Sequence, residues 1–312
     1  MVHMDQWTWP KRPTNASEYN EMMLSLDIHL AKQGLVPAQR SLQASRLVSM
    51  ALKLGGIPFL GHNIQRGKPF SVTDLGPRVF DWYNETYGEL NKIDWSPGSG
   101  VLELRATYWR LKMPFIQGAS KVFIDKDLTK GQTGNVLQRG PTSCNVLHHF
   151  VGMTPAFASS LAPAELTRAL EGFMRVYHAT GWLTQVAGSG LFEQAVGDYN
   201  HSVDALMDGA ALGKARWDTS QCAEKTFKGL LDRVGQTFPK DPKLGHNISH
   251  LGGMVQTHFS YTFSPTDLAT IQCPPAVRYG EKTTSRQEAY NAHQALISVL
   301  LVLAKEAPIV VP

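Results

Sequence analysis

From Leu161 onward the apolar residues of this chain recur at every third and fourth position, a period that specifies helices. Leu166, Leu170, Phe173, Met174 and Tyr177 form a first stripe behind Pro163, which suits an opening helical turn. Residues 192–207 predict the next helix. Residues 214–234 predict another, with Phe227, Leu230, Leu231 and Val234 on one side and Gly235 behind them. Shorter helices are expected at 246–256, after the Pro239/Pro242 loop, and at 265–271. The last helix has an explicit start: Ser285 as cap and Glu288 reaching back to it form a capping box. Ala289, Ala292, Leu296, Val299, Leu300 and Leu303 then supply a wide apolar face.

The first half changes period. Helices are expected at 15–33, 37–54 and 78–90, the last after a turn at Asp74-Leu75-Gly76-Pro77. Residues 59–74 read as loop or short strand. In 101–113, Leu102, Leu104, Ala106 and Tyr108 alternate with Glu103, Arg105, Thr107 and Trp109, predicting one strand with a buried face. A second strand is expected at 120–124, followed by a polar loop over 125–143. The fold class is therefore α+β: a mixed N-terminal domain with a small sheet (residues 1–160), a bridging helix and linker (161–190), and an all-α up-and-down helical bundle (191–308).

At 43% hydrophobic and 18% charged residues, the 312-residue chain has core material for two domains and is not disordered. A net charge of +4 is compatible with nucleic acid but does not demand it. Three scattered cysteines, Cys144, Cys222 and Cys273, make no disulfide framework and point to a reducing compartment. Residues 1–12 carry no apolar signal core, and the longest apolar run, 295–304, is too short for a bilayer. The expectation is a cytoplasmic protein with no membrane association.

Four segments of the last third carry a resemblance. They are Asp198-Tyr199-Asn200-His201-Ser202-Val203-Asp204-Ala205-Leu206, the run from Gln221 to Leu231 (QCAEKTFKGLL), Leu244-Gly245-His246-Asn247-Ile248, and Val277-Arg278-Tyr279-Gly280 before a long helix. In this order they resemble the helical segments of HEPN domains. The resemblance covers about a third of the chain, and the first 190 residues resemble no family. It implies a helical bundle that dimerises through its helices, RNA or nucleotides as partner, and an antitoxin or nucleotidyltransferase as partner protein. It also implies a metal-independent ribonuclease in a toxin–antitoxin or defence system. The alternative is a non-catalytic module for nucleotide binding or dimerisation with an N-terminal sensor or docking domain. In catalytic members of that family an Arg is followed by four to six residues and a His. Here Arg286 is followed by six residues and His293, with Gln287 departing from the polar residue usual after the Arg.

Seven positions are about two helical turns, so Arg286 and His293 leave one face of the last helix. An Arg can hold a phosphate and a His can move a proton near neutral pH. The bland alternative is an ordinary helix face. Lys225 and Lys228 read either as a phosphate-binding ridge or as a surface strip in which Glu224 pairs Lys228. Arg278 and Tyr279, at a helix–helix corner, read as a base-and-phosphate clamp or as a packed corner. His246 and His250 have two-ligand spacing but no third ligand. Cys144 with His148-His149 reads as a metal fragment, a Cys–His nucleophilic pair or a buried helix start, and Asp125-Lys126-Asp127 reads as a turn after a strand. There is no P-loop or dinucleotide fingerprint, and neither a metal nor a cofactor is expected.

Overall fold

The computed structural model describes residues 7–54, 66–91, 96–116, 120–131, 142–188, 190–239 and 241–306. It contains two compact units, Met1–Asp94 and Trp95–Pro312. The sequence placed the boundary in 161–190, which falls inside the second unit. Continuous packing of its helices on the preceding strands explains why.

The first unit holds α1 (Ala16–Lys32), α2 (Pro37–Ala51) and α3 (Val72–Tyr87), then a 3-10 turn at Gly88–Asn91. The Asn15 side chain caps α1 by accepting the Glu18 N–H. Met22, Met23, Leu26 and Leu30 of α1 close on Val48, Leu75, Val79 and Tyr83. Buried Asp27 is satisfied inside this unit by the Arg40 guanidinium at 3.2 Å and the Tyr87 hydroxyl at 2.5 Å. The turn expected at Asp74–Pro77 lies within α3. Pro77 removes one helical N–H, and Asp74 ties down the same turn, its carboxylate accepting the Phe70 N–H and the Arg78 guanidinium, each at 2.7 Å. Of the stretch 59–74, residues 59–65 lie outside the described residues, and α3 begins at Val72.

The second unit opens with an antiparallel hairpin, β1 (Ser99–Leu104) and β2 (Thr107–Lys112). The sequence predicted one strand here. Arg105 and Ala106 make the two-residue turn at φ +53° and +54°. Neither is a glycine or asparagine, so the turn carries no sequence signal. The strained turn is clamped: Arg105 donates to both oxygens of Glu165 at 2.8 Å and to the Ser160 carbonyl at 2.6 Å. Ala106→Gly is expected to raise stability by about 1 kcal/mol, since glycine accepts a left-handed φ without the Cβ clash. Thermal melts of the variant would show the shift.

β3 (Ser120–Phe123) comes next, and β4 (Thr142–Asn145) pairs with it in parallel. β4 was hidden in the expected polar loop, of which 132–141 lie outside the described residues. After a 3-10 turn at Val146–His149 the chain is helical. The elements are α4 (Pro155–Ser160), α5 (Pro163–Val186), α6 (Gly190–Asp208), α7 (Leu212–Arg233), α8 (Pro242–Gly245), α9 (Ile248–His258), α10 (Pro265–Ile271), α11 (Pro275–Arg278) and α12 (Arg286–Glu306). α5 runs through the expected linker because Trp182, Leu183 and Val186 are buried core residues. Likewise, the helix expected from 246 starts at Ile248, with Asn247 as its cap. Helices α6 and α7 pair along their length, and α12 packs on α5, α6, α7 and α10. The two-stranded hairpin rests on α5 and α6, where Gly172 lets β1 approach: a Cβ there would sit 2.8 Å from Leu102. Mixed α and β structure thus gives way to an all-helical C-terminal region. Among the described residues no helix is long and apolar enough to cross a membrane.

Candidate ligand-binding surface

Arg286 and His293 do share a face of α12, and the hairpin lies on that face. The Gln294 amide donates to the Val101 carbonyl at 2.8 Å, the Glu103 N–H donates to the Tyr290 hydroxyl at 3.3 Å, and Tyr108 donates to Gln287 at 2.9 Å. Arg286 donates to the Leu206 and Met207 carbonyls at 2.9 and 2.8 Å, and its guanidinium lies 4.8 Å from the Tyr108 ring centre. It therefore caps the C-terminus of α6, whose unpaired carbonyls and negative dipole end offset the poor placement of a cation in the first turn of α12. His293 is 1% exposed. Its Nε2 accepts the Val101 N–H at 3.4 Å, and its ring packs against Tyr199 at 5.5 Å. Burial pushes it down to about 4, so it is neutral at physiological pH. In this arrangement His293 ties the hairpin to α12 out of reach of solvent, while the partly exposed Arg286 is engaged by α6 carbonyls.

Lys225 and Lys228 are both engaged. Lys225 lies 2.6 Å from Asp198, whose carboxyl burial holds above the usual range despite that cation. Lys228, with a side chain 12% exposed, meets Glu224 at 2.7 Å. Neither is a free cation for a phosphate ridge. His246 also joins Glu224, its Nδ1 lying 2.9 Å from each carboxylate oxygen, and Gln221 donates to Glu224 at 3.2 Å.

Cys144 and His149 come together, Sγ to Nε2 at 3.1 Å. Burial pushes the thiol up to about 11 and the imidazole down to about 4, the latter helped by His148. Both stay uncharged, so the contact packs β4 against the following turn and presents no thiolate. Asp125 and Asp127 accept the N–H groups of Asp127 and Thr129, each at 2.9 Å, the expected turn. Among the described residues no group of three or more His, Cys, Asp or Glu could hold a metal ion.

Arg278 and Tyr279 are different. Both are exposed, Tyr279 at 69%. The Arg278 guanidinium lies 4.8 Å from the Trp217 ring centre and 5.6 Å from that of Tyr279. Among the described residues no carboxylate pairs with it. Sequence alone pointed to the corner but not to Trp217, which projects from α7 and meets it. The detectable signal was its period: Trp217, Gln221, Glu224 and Lys228 recur at helical spacing. Two features hold the corner in place. Gly213 of α7 lies so close to α11 that a Cβ would sit 2.5 Å from the Val277 carbonyl oxygen. Arg216 donates to the Thr270 and Gln272 carbonyls at 3.2 and 3.1 Å, fixing the chain that leads into α11. The result is a cation beside two aromatic rings, one of them open to solvent. Such an arrangement can stack a planar ring and hold a phosphate oxygen. No protein-family model, curated protein or solved structure matches this chain.

Proposed function

We propose that the second unit is a non-catalytic, HEPN-like helical module that binds a nucleotide or single-stranded RNA on the Trp217–Arg278–Tyr279 surface. The observation that carries this reading is the exposed Arg278, with no carboxylate partner among the described residues, held against Trp217 and flanked by open Tyr279. Aromatic stacking with a guanidinium alongside is how proteins grip bases without reading their sequence. The HEPN resemblance supports it: the four segments that carry it fall on α6, α7, the α8–α9 turn and the α11 corner, in one contiguous unit. The non-catalytic form is preferred because His293 is buried against the hairpin and Arg286 is engaged by the C-terminus of α6.

Trp217 makes the test direct. Titration with oligoadenylate is expected to quench tryptophan fluorescence. Arg278→Ala or Tyr279→Ala should each weaken binding by about tenfold or more, in keeping with the 1–3 kcal/mol of a stacked base. Lys225→Ala should leave binding within about twofold, because the pairing with Asp198 already engages that ammonium. An unchanged affinity in both corner variants, or no binding by the wild-type protein, would remove this assignment.

A further inference from the structure

The proposed surface does not end at Arg278. It continues along α7 to a histidine whose role rests on the stacking corner being a nucleotide site. Trp217, Gln221, Glu224 and Lys228 stand at i, i+4, i+7 and i+11 and so share one face of α7. Seven residues of helix place the Glu224 backbone about 10 Å beyond that of Trp217. The stretch of chain leading to α11 lies alongside α7, from Gln272 near Arg216 to Val277 near Gly213. Gln272 donates from its amide to the His246 carbonyl at 3.2 Å and accepts the Ile248 N–H at 2.8 Å. Its own carbonyl receives Arg216, one residue before Trp217.

At the far end of this face stands His246, its side chain 60% exposed over a Glu224 side chain only 6% exposed. A carboxylate cannot donate, so the Nδ1 facing both Glu224 oxygens carries the hydrogen. In the neutral imidazole this leaves Nε2 with a lone pair, and among the described residues nothing occupies it. Lys228 balances the charge of Glu224 from the other side. In its neutral form His246 is thus held in one tautomer as an outward hydrogen-bond acceptor, over the same α7 face that carries Trp217.

We infer that His246 is a specificity residue that accepts a hydrogen bond from a ribose hydroxyl, so the surface prefers RNA over DNA. A strand with one base at Arg278 and Tyr279 lies along α7 and brings the sugar of a linked nucleotide to Nε2. The 2′-hydroxyl is the donor that only RNA supplies there. DNA leaves Nε2 to water, a small loss at an exposed site, so the expected discrimination is modest.

The experiment compares oligoadenylate with oligodeoxyadenylate of equal length by fluorescence anisotropy, using the full chain. Wild type should favour the ribo-oligomer by about fivefold to tenfold, the scale of one hydrogen bond. His246→Ala should erase that preference by lowering ribo affinity alone, and His246→Gln, which keeps an acceptor, should retain part of it. A second readout is the His246 ring resonance by NMR, expected to shift with the ribo-oligomer and not with the deoxy-oligomer. Equal wild-type affinities, or a preference that survives His246→Ala, would overturn the inference and leave the stacking corner standing. Failure of wild type to bind either oligomer would overturn both.

Discussion

Acidification from pH 6.5 to pH 4 is expected to remove roughly 3 kcal/mol of stability through His293 alone. Its ordinary value is 6.5, and burial lowers it to about 4 in the folded chain. Within that window the unfolded chain takes up a proton that the folded chain refuses. Stability is therefore complete above 6.5 and is lost as pH falls toward 4. His149, also lowered to about 4 by burial, adds loss of the same sign. Glu18 and Glu165, drawn down to about 2 by Lys11 and Arg105, add theirs only below their ordinary 4.5. Urea midpoints across this window would show the slope. His293→Leu should be less stable at pH 7, because the Val101 N–H loses its acceptor. It should also be flatter between pH 6.5 and 4. A variant whose acid slope matches the wild type would clear His293 of responsibility.

The same histidine shows how far sequence alone could reach. Helical period fixed the faces correctly: Arg286 and His293 do lie together, the capping box at Ser285 and Glu288 is made, and 265–271 is helical to the residue. Period says which residues share a face and nothing about what covers it. The cover is a hairpin from nearly two hundred positions upstream, as the Val101–His293 and Gln294–Val101 bonds show. Its turn at Arg105–Ala106 was silent because the left-handed backbone is stabilised by Glu165 and Ser160, not by a turn residue. β4 was equally silent, because a four-residue strand has too few positions for alternation to register. Arg278 and Tyr279 were legible as a corner. Trp217 was not, since its meeting with Arg278 depends on the close approach that Gly213 permits.

Removing the Glu224 carboxylate is expected to be the most damaging surface-proximal change in the second unit. Glu224→Ala leaves the Lys228 ammonium, 12% exposed, without its partner at 2.7 Å, and a stranded buried charge costs about 3–5 kcal/mol. The loss should be larger than that of Lys225→Ala, where a more exposed ammonium is removed and the remaining Asp198 carboxyl is already pushed toward its neutral form by burial. Replacing both partners with apolar residues, Glu224→Leu with Lys228→Met, should recover most of the stability, because no charge is then left buried. A denaturation cycle over the single and double variants measures this directly. A double variant as unstable as Glu224→Ala would show that the loss lies in packing and not in the stranded charge. The stable double variant also separates structure from recognition. It retains the fold and the Trp217–Arg278–Tyr279 corner, but nothing holds the His246 Nδ1 hydrogen in place. Stacking should survive in it while the preference for ribose disappears.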